Sequence, residues 1–389
     1  MRHLDQLHLG LLHADGIGPE VVDAAAWVVE AAVGACTDLD LVWTVLPVGK
    51  YALATKFDAL PRDTLRALSG LEAWILGPDD APSPDNGDES TIGRSICRYF
   101  DMNTNILPAK AIPLRKAVVP TMDLVVVREN TEGLFVGRNV HALAGESDTA
   151  DVDAASVREP GRSACERIAH RAFGLAERRR SRVTVVCQAT GSAMRTELFK
   201  AVCTEVAALY PQVEVDERRM DTMHVDLVQR SENFDVVLTE NLSGDVLCDL
   251  TVALSGSELT APSLSCSDDK AMAQARHGCT PDAFGRNRAD PTATIASAAM
   301  MIRWLGDRRR QACLSAAADV MEGAIEVVSA GTADAGKATT MRVASLIVDE
   351  IRAARSTALG TIGGDRRTQL RIERGEEPRP GIVRPSFLR

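Results

Sequence analysis

The chain has 389 residues, of which 45% are hydrophobic and 25% are charged. This composition is typical of a globular protein with about two domains. With 54 acidic and 44 basic residues the formal net charge is -10, which argues against a nucleic-acid binder with a general basic surface. Only 7 of the basic residues are lysines, so each lysine, present or missing, is informative.

Membrane and secreted classes are also disfavoured. No run approaches the ~20 apolar residues of a membrane span, and the first residues lack the apolar stretch of a signal peptide. The nine cysteines are dispersed and form no CxxC pair, which indicates reduced thiols rather than a disulfide framework. The sequence therefore predicts a cytoplasmic protein that binds neither membranes nor nucleic acids.

Strand-like apolar runs alternate with helical patterns along the chain. Leu7–Leu12 predicts a strand, the turn Asp15–Glu20 follows, and a helix with an early proline begins there. The other predicted strands are Ala73–Leu76, Leu124–Val127, Val183–Cys187 and Val236–Leu238. The other predicted helices are Arg162–Arg178, Thr292–Trp304, Gln311–Ser329 and Thr340–Arg355. This alternation predicts an α/β fold with both faces of the sheet covered.

Two segments have an irregular pattern. Pro78–Asp88 is rich in Pro, Asp and Gly and predicts a long loop. Residues 356–389 contain three prolines and no sustained periodicity, which predicts a C-terminal extension. It either drapes over the surface or packs as an arm on a partner subunit.

Paired carboxylates stand in the segment Asn241–Asp249. Asp245 and Asp249 are four residues apart, so on a helix they share one face. Such a pair suits Mg²⁺ or Mn²⁺, although a solvated acidic face has the same spacing. Asp221 could add a third carboxylate.

A second motif combines glycine and proline in a loop before a helix. It covers His277–Asp282 and continues through Asp290 to the predicted helix at Thr292. Backbone N–H groups at such a loop and helix end can bind a phosphate, but similar loops also cap structural helices. The Gly16/Gly18 turn is a weaker signal of the same kind, because it is not a full GxGxxG.

A third motif is a strand that ends in an arginine. Val125–Val127 is followed by Arg128, whose guanidinium could hold a substrate carboxylate through two hydrogen bonds. The alternative is a structural ion pair with Glu129.

Taken in order, these motifs resemble the β-decarboxylating dehydrogenases, the family of isocitrate, isopropylmalate, homoisocitrate and tartrate dehydrogenases. The stretches that carry the resemblance are Asp15–Glu20, Arg128–Gly133, Asn241–Asp249, His277–Asp282 and Asp290–Met301. The resemblance implies oxidation of a 2-hydroxy acid with NAD(P) and a divalent metal, usually followed by loss of the β-carboxylate. It also implies a homodimer with shared active sites.

The family fold that the resemblance implies is the isopropylmalate-dehydrogenase-like two-domain α/β fold, with a parallel-rich sheet. Residues 1–105 and 255–355 would form the nucleotide-binding large domain. Residues 106–254 would form an inserted domain that makes the dimer.

Several site residues follow from the resemblance. Asp221, Asp245 and Asp249 match the metal-binding aspartates, with Asp221 coming from the partner subunit, and Arg128 matches a substrate-binding arginine. The matching cofactor-binding positions are His277, Gly278, Thr280, Pro281, Asp282 and Asp290. An acid at position 282 would repel a 2′-phosphate, so NAD is predicted over NADP.

Two catalytic positions depart from the family. Gln188 stands where the family has a catalytic lysine, and Phe135 stands where it has a proton-donating tyrosine. Gln cannot act as a general base at neutral pH, and Phe has no proton to donate. His224, three residues after Asp221, is a candidate for the lost base, although a lone His is more often structural.

Substrate-binding positions depart as well. Cys97 and Leu107 stand at the places of two family arginines, and Arg94 or Arg98, four apart on one helical stretch, could replace the first. Thr91 matches a hydroxyl residue near the substrate, or else caps a helix. An apolar residue in place of a buried cation favours a smaller or less anionic substrate.

Three functions are compatible with this pattern. The first is a divergent NAD- and Mg²⁺- or Mn²⁺-dependent dehydrogenase acting on a 2-hydroxy-acid-like substrate, with the metal polarising the hydroxyl. The second is a non-catalytic binding or regulatory homologue. The third is a metal-dependent, non-redox decarboxylase or lyase.

Overall fold

The computed structural model describes residues 6–80, 91–111, 117–131, 161–188, 193–257, 261–331 and 338–361. Within them ten strands form a single sheet in the order β2-β1-β3-β10-β9-β4-β5-β8-β6-β7. The strands are β1 (Gln6–Leu12), β2 (Asp40–Val45), β3 (Ala73–Leu76), β4 (Thr104–Lys110), β5 (Asp123–Glu129), β6 (Arg182–Cys187), β7 (Glu214–Arg219), β8 (Val236–Thr239), β9 (Leu264–Cys266) and β10 (Ala271–Ala273).

Most neighbouring strands run parallel, and the antiparallel pairs are β10–β9, β9–β4 and β4–β5. The described helices are α1 (Gly18–Cys36), α2 (Gly49–Lys56), α3 (Arg62–Ser69), α4 (Ile92–Tyr99), α5 (Arg162–Glu177), α6 (Ala193–Ala207), α7 (Met220–Arg230), α8 (Asn241–Ser255), α9 (Thr292–Arg309), α10 (Ala312–Gly331) and α11 (Thr340–Thr361). None of the described helices is long and apolar enough to cross a membrane.

The helices cover the sheet because the central strands are apolar on both faces. β3, with sequence Ala-Trp-Ile-Leu, is buried throughout. One core cluster packs α1, α9, α10 and α11 on the half formed by β1, β3, β9 and β10. A second packs α5 and α6 on β5, β6 and β8. On the opposite face, Leu12, Trp74 and Leu76 belong to a third cluster and Leu124 and Val126 to a fourth. Both faces are thus covered, as a parallel-rich sheet requires, and the predicted α/β fold class is confirmed.

The sheet has two halves that meet at one antiparallel junction. β9 joins β4 through three residue pairs, Thr104 with Cys266, Asn105 with Ser265 and Ile106 with Leu264. The Asn105 amide also donates to the hydroxyls of Ser263 at 2.8 Å and Ser265 at 3.1 Å. The strands on one side of the junction come from residues 6–76 and 264–273, and those on the other side from residues 104–239. The predicted domain boundaries lie near this junction and stay a prediction.

The predicted strands and helices are present, with ends shifted by a few residues. The sequence patterns did not predict β2 and β7, which are the two edge strands, or β4, β9 and β10. α11 continues to Thr361, so the predicted start of the C-terminal extension at residue 356 falls inside a helix. Residues 362–389 lie beyond the described part of the chain.

Candidate active site

Arg128 at the end of β5 is held against the start of α8. Its side chain is 6% exposed. Nε donates to the backbone oxygen of Asn241 at 3.0 Å, Nη2 donates to Asn241 Oδ1 at 2.7 Å, and Nη1 lies 2.5 Å from Asp245 Oδ1. Arg128 thus pairs with two residues of the Asn241–Asp249 motif.

Gly244 makes this approach possible. A Cβ atom at that position would lie 2.6 Å from Cγ of Arg128 and 2.8 Å from Cγ2 of Thr239. The glycine in the Asn241–Asp249 motif thus lets the arginine side chain lie directly on α8.

Two further arginines converge on Asp245. Arg94 on α4 brings Nη2 to 3.5 Å from Asp245 Oδ2. Arg276, which follows β10, brings Nη2 to 3.0 Å from Asp245 Oδ1 and 2.7 Å from Asp249 Oδ1. Asp245 therefore lies among three guanidinium groups. Arg276 is the site residue that the motif analysis missed, although it directly precedes His277 in the sequence.

These contacts fix the ionisation of the site. Burial raises the pKa of Asp245, but the charges of Arg128, Arg276 and Arg94 outweigh burial, so the pKa of the carboxyl is lowered. Burial likewise opposes the charge on Arg276, while Cys248, Asp245 and Asp249 raise its pKa above the ordinary value. The Asp245 carboxylate and the Arg276 guanidinium are therefore both charged at neutral pH.

The predicted metal ligands do not fit a divalent cation as they are arranged. Oδ1 of Asp245 and Oδ1 of Asp249 already accept from Arg276, and Asp221 pairs with Arg219 at 2.6 Å. Within the described part of one chain no three His, Cys, Asp or Glu side chains converge on one point, which is also expected if Asp221 comes from a partner subunit. A cation beside Asp245 would also face three guanidinium groups, and two like unit charges 4 Å apart repel by about 4 kcal/mol near a protein surface.

The predicted nucleotide loop packs on the first strand–helix turn. Ile17 N–H donates to the backbone oxygen of Cys279 at 2.9 Å. Gly16 has a φ of +54°, and a Cβ atom there would lie 2.0 Å from the same oxygen. Asp15, 4% exposed, accepts the backbone N–H groups of Lys50 at 2.7 Å and Asp80 at 2.9 Å. The conformation of the turn therefore allows the loop to pack directly against it.

The loop presents groups suited to a nucleotide. His277 is partly buried, burial lowers its pKa, and its Nε2 has no hydrogen-bond partner among the described residues. Gly278, Thr280, Pro281 and Asp282 are exposed. Asp290 lies after the loop and accepts the backbone N–H of Thr292 at the start of α9, at 3.0 Å. The loop therefore offers a ligand an imidazole nitrogen without a partner among the described residues and several exposed positions.

A buried acid lies at the same end of the sheet. Asp79 accepts the backbone N–H of Gly93 at 2.8 Å. Burial, only partly offset by this hydrogen bond and reinforced by the charge of Asp15, raises the pKa of Asp79 to about 6. The sequence predicted only an irregular loop here, because the burial of a single aspartate produces no recognisable pattern in the sequence.

The remaining predicted site residues are more scattered. Thr91 caps α4, accepting from the Arg94 N–H at 3.3 Å, and Arg98 lies one turn beyond Arg94 on the same helix. Leu107 is fully buried in a core cluster with Val126 and Leu247.

The candidates for proton transfer lie on the other half of the sheet. Gln188 directly follows β6 and is partly buried. His224 is on α7, and its Nε2 is buried without a hydrogen-bond partner among the described residues. Phe135 lies outside the described ranges.

The largely parallel α/β sheet thus places a cluster of three arginines and two aspartates next to the loop that starts at His277. Comparison with known proteins identifies one family. Residues 8–351 match the family model described as isocitrate/isopropylmalate dehydrogenase. The chain belongs to this family, as its motifs predicted.

Individual relatives agree with this assignment. The isocitrate/homoisocitrate dehydrogenase of Thermus thermophilus is 34% identical over 346 residues, which cover 88% of this chain and 98% of that protein. The 3-isopropylmalate/3-methylmalate dehydrogenase of Methanocaldococcus jannaschii is 33% identical, over 82% of this chain and 90% of that protein. Both confirm the predicted class of enzyme, a hydroxy-acid dehydrogenase of the β-decarboxylating type.

A solved structure shares the fold. The crystal structure of isocitrate dehydrogenase from Methylococcus capsulatus matches with a TM-score of 0.74 and 30% sequence identity. The match covers 89% of this chain and 99% of that one.

Proposed function

We propose that this protein is an NAD-dependent dehydrogenase that oxidises the hydroxyl of a small 2-hydroxy acid, with an altered set of proton-transfer residues. The observation that carries the proposal is the continuity of two binding regions. Arg276 belongs to the anion site around Asp245, and the next residue, His277, opens the predicted nucleotide loop.

In this proposal, different residues bind the substrate and the cofactor. The guanidinium groups of Arg94 and Arg128 would hold the substrate carboxylate, since arginine forks bind carboxylates well. His277 and Asp282 would hold the adenosine half of NAD, and NAD, when bound, accepts the hydride. The exposed carboxylate of Asp282 supports NAD over NADP.

A group must also take the hydroxyl proton. Gln188 cannot do so at neutral pH. His224 is the candidate, because its Nε2 is buried and has no hydrogen-bond partner in the part of the chain that the structure describes. Imidazole is the commonest general base in enzymes.

A homodimer and a cytoplasmic location belong to the same proposal. Val225 and Val228 on α7 and Val246 on α8 are each about half exposed, at 51%, 50% and 48%. These valines lie on two helices that contact each other, and a second copy of the chain would cover them. All nine cysteines have free thiols, which suits a reducing compartment.

NADH formation tests the proposal directly. We expect turnover with at least one acid in a panel of malate, tartrate, isocitrate and smaller 2-hydroxy acids, with released CO₂ measured in the same assay. NAD binding without turnover on any of them would contradict the proposal and favour a non-catalytic binding homologue, which the loss of the family lysine at position 188 supports. The lyase alternative depended on a metal at Asp245 and Asp249, which their contacts with Arg276 disfavour.

A double substitution examines the scaffold separately. Gln188→Lys with Phe135→Tyr should give malate-type activity if the family's catalytic pair is all that changed. Gln212→Lys, an exposed position before β7, is the matched control for an added lysine and should change nothing.

A further inference from the structure

Arg276 lies between Asp245 and Asp249, the two carboxylates for which the family resemblance implies a metal. Its Nη2 donates to Asp249 Oδ1 at 2.7 Å and to Asp245 Oδ1 at 3.0 Å, and its Nε donates to Asp249 Oδ1 at 2.9 Å. A single cationic group thus bridges the pair of acids that the family motif supplies. A metal ion bound at this place would contact the same two carboxylates.

The position of Arg276 is set by its surroundings. The backbone N–H of Arg276 donates to the oxygen of Ala261 at 3.2 Å, the preceding Ala275 is buried, and the guanidinium is 25% exposed. Arg276 is therefore a fixed positive charge and not a surface side chain that happens to lie near an acid.

The net charge of the site favours the binding of an anion over that of a cation. Arg94, Arg128 and Arg276 contribute three positive charges, and Asp245 and Asp249 contribute two negative ones. These five side chains carry one net positive charge. A bound carboxylate would neutralise that charge, whereas a divalent ion would raise it to three.

We propose that Arg276 takes the place of the divalent cation in this chain, and that the site binds the carboxylate of a small acid through Arg94, Arg128 and Arg276 without Mg²⁺ or Mn²⁺. The family generally uses a divalent metal with NAD(P), so this is a departure from its chemistry. The fixed guanidinium then supplies the positive charge beside the substrate oxygens. The inference rests on the proposed function only in placing a substrate acid at this site.

Binding measurements on the full-length protein, freed of metal with EDTA, test the inference. Oxalate serves as the probe for a small carboxylate and Mn²⁺ as the probe for the metal, both followed by titration calorimetry. We expect the wild-type protein to bind oxalate in the presence of EDTA and to show no stoichiometric binding of Mn²⁺ at up to millimolar concentration. Oxalate binding that appears only after Mn²⁺ is added would overturn the inference, as would tight Mn²⁺ binding that Asp245→Asn removes.

Substitution of the arginine gives the converse test. Arg276→Met keeps the bulk of the side chain and removes its charge, so oxalate affinity should fall at least tenfold while Mn²⁺ affinity rises at least tenfold. Arg303→Met is the matched control, because Arg303 also bridges two carboxylates, Asp319 and Glu322, each at 2.8 Å. It should leave both affinities unchanged. A folded Arg276→Met protein with wild-type affinity for both probes would overturn the assignment to Arg276.

The experiments distinguish a failure of the proposed function from a failure of the inference about Arg276. Metal-free oxalate binding without NADH formation on any acid would contradict the proposed function and leave the inference in place. NADH formation that EDTA abolishes would contradict the inference and leave the dehydrogenase in place.

Discussion

The backbone N–H of Ile17 donates to the carbonyl oxygen of Cys279 at 2.9 Å, which joins the first strand–helix turn to the predicted nucleotide loop. The two residues are more than 250 positions apart in the sequence. The contact depends on Gly16, because only a residue without Cβ can lie so close to that oxygen at a positive φ. The turn and the loop therefore form one structural unit.

Gly16→Ala should break this unit. The new Cβ would lie 2.0 Å from the Cys279 oxygen at a φ of +54°, so we expect a loss of about 1–3 kcal/mol in the free energy of unfolding and weaker NAD binding. Urea unfolding and NAD titration measure the two effects. Gly34→Ala on α1, where a Cβ meets nothing within 4 Å, should instead stabilise the protein by about 0.5–1 kcal/mol. Equal stability of the two variants would contradict the argument.

Replacing Arg128 should affect both stability and ligand binding. Arg128→Met leaves Asp245 with one fewer partner and the Asn241 oxygens unpaired in a buried place, and losing one member of a buried ion pair costs about 3–5 kcal/mol. Thermal or urea unfolding gives the stability change. Arg66→Met removes an exposed pair with Asp63 and should cost at most about 1 kcal/mol. A loss at position 128 no larger than this would show that the Arg128 contacts are not stabilising.

Asp79 should make stability fall as the pH rises. Its pKa is raised from 3.8 to about 6 in the folded chain, so the folded state keeps the proton through a range in which the unfolded chain has released it. The destabilisation is absent below about pH 4, develops between pH 4 and 6, and is complete above pH 6. It amounts to about 1–3 kcal/mol.

Asp79→Asn should remove this contribution while keeping an oxygen for the Gly93 N–H. The variant should match the wild type near pH 4 and be the more stable of the two at pH 7.5, as measured by urea unfolding at both values. Asp63→Asn, an exposed carboxylate on α3, should show the same pH dependence as the wild type. A constant difference between Asp79→Asn and the wild type at all pH values would refute the assignment.

Asp282 should control the choice between NAD and NADP. Asp282→Ser removes the exposed acid that would repel a 2′-phosphate, so the ratio of kcat/KM for NAD to that for NADP should fall by about tenfold, which corresponds to about 1.4 kcal/mol. The ratio is measured with the acid that gives turnover in the panel. Glu232→Ser, an exposed acid on the other half of the sheet, should leave it unchanged.

The sequence predicted the central strands well and the edges poorly. β3 is an apolar run because it is buried on both faces, and its predicted ends agree with the observed ones. β7 reads Glu-Val-Asp-Glu-Arg-Arg and pairs only with β6 at the end of the sheet. Its side chains have no apolar pattern because neither face is fully buried, so periodicity could not predict it.

In the candidate site, too, some residues could be predicted from the sequence and others could not. Arg128, Asp245 and Asp249 follow from motifs, because each lies at a strand end or on one helix face. Arg276 has no such signature, since its partners come from a helix that ends about 20 residues earlier in the chain. The available signal was an arginine immediately before a nucleotide-type loop. Its role could be recognised only from the structure, in which the segment after β10 brings Arg276 to α8.

The ion pairs of Arg276 also connect the two halves of the sheet. Arg276 follows β10 in one half, whereas Asp245 and Asp249 are on α8, which packs on β4 and β5 of the other. The strands themselves join through only three residue pairs between β4 and β9. An acid bound between Arg94, Arg128 and Arg276 would therefore add a further bridge between the two halves of the sheet, and its binding should raise the stability of the whole protein.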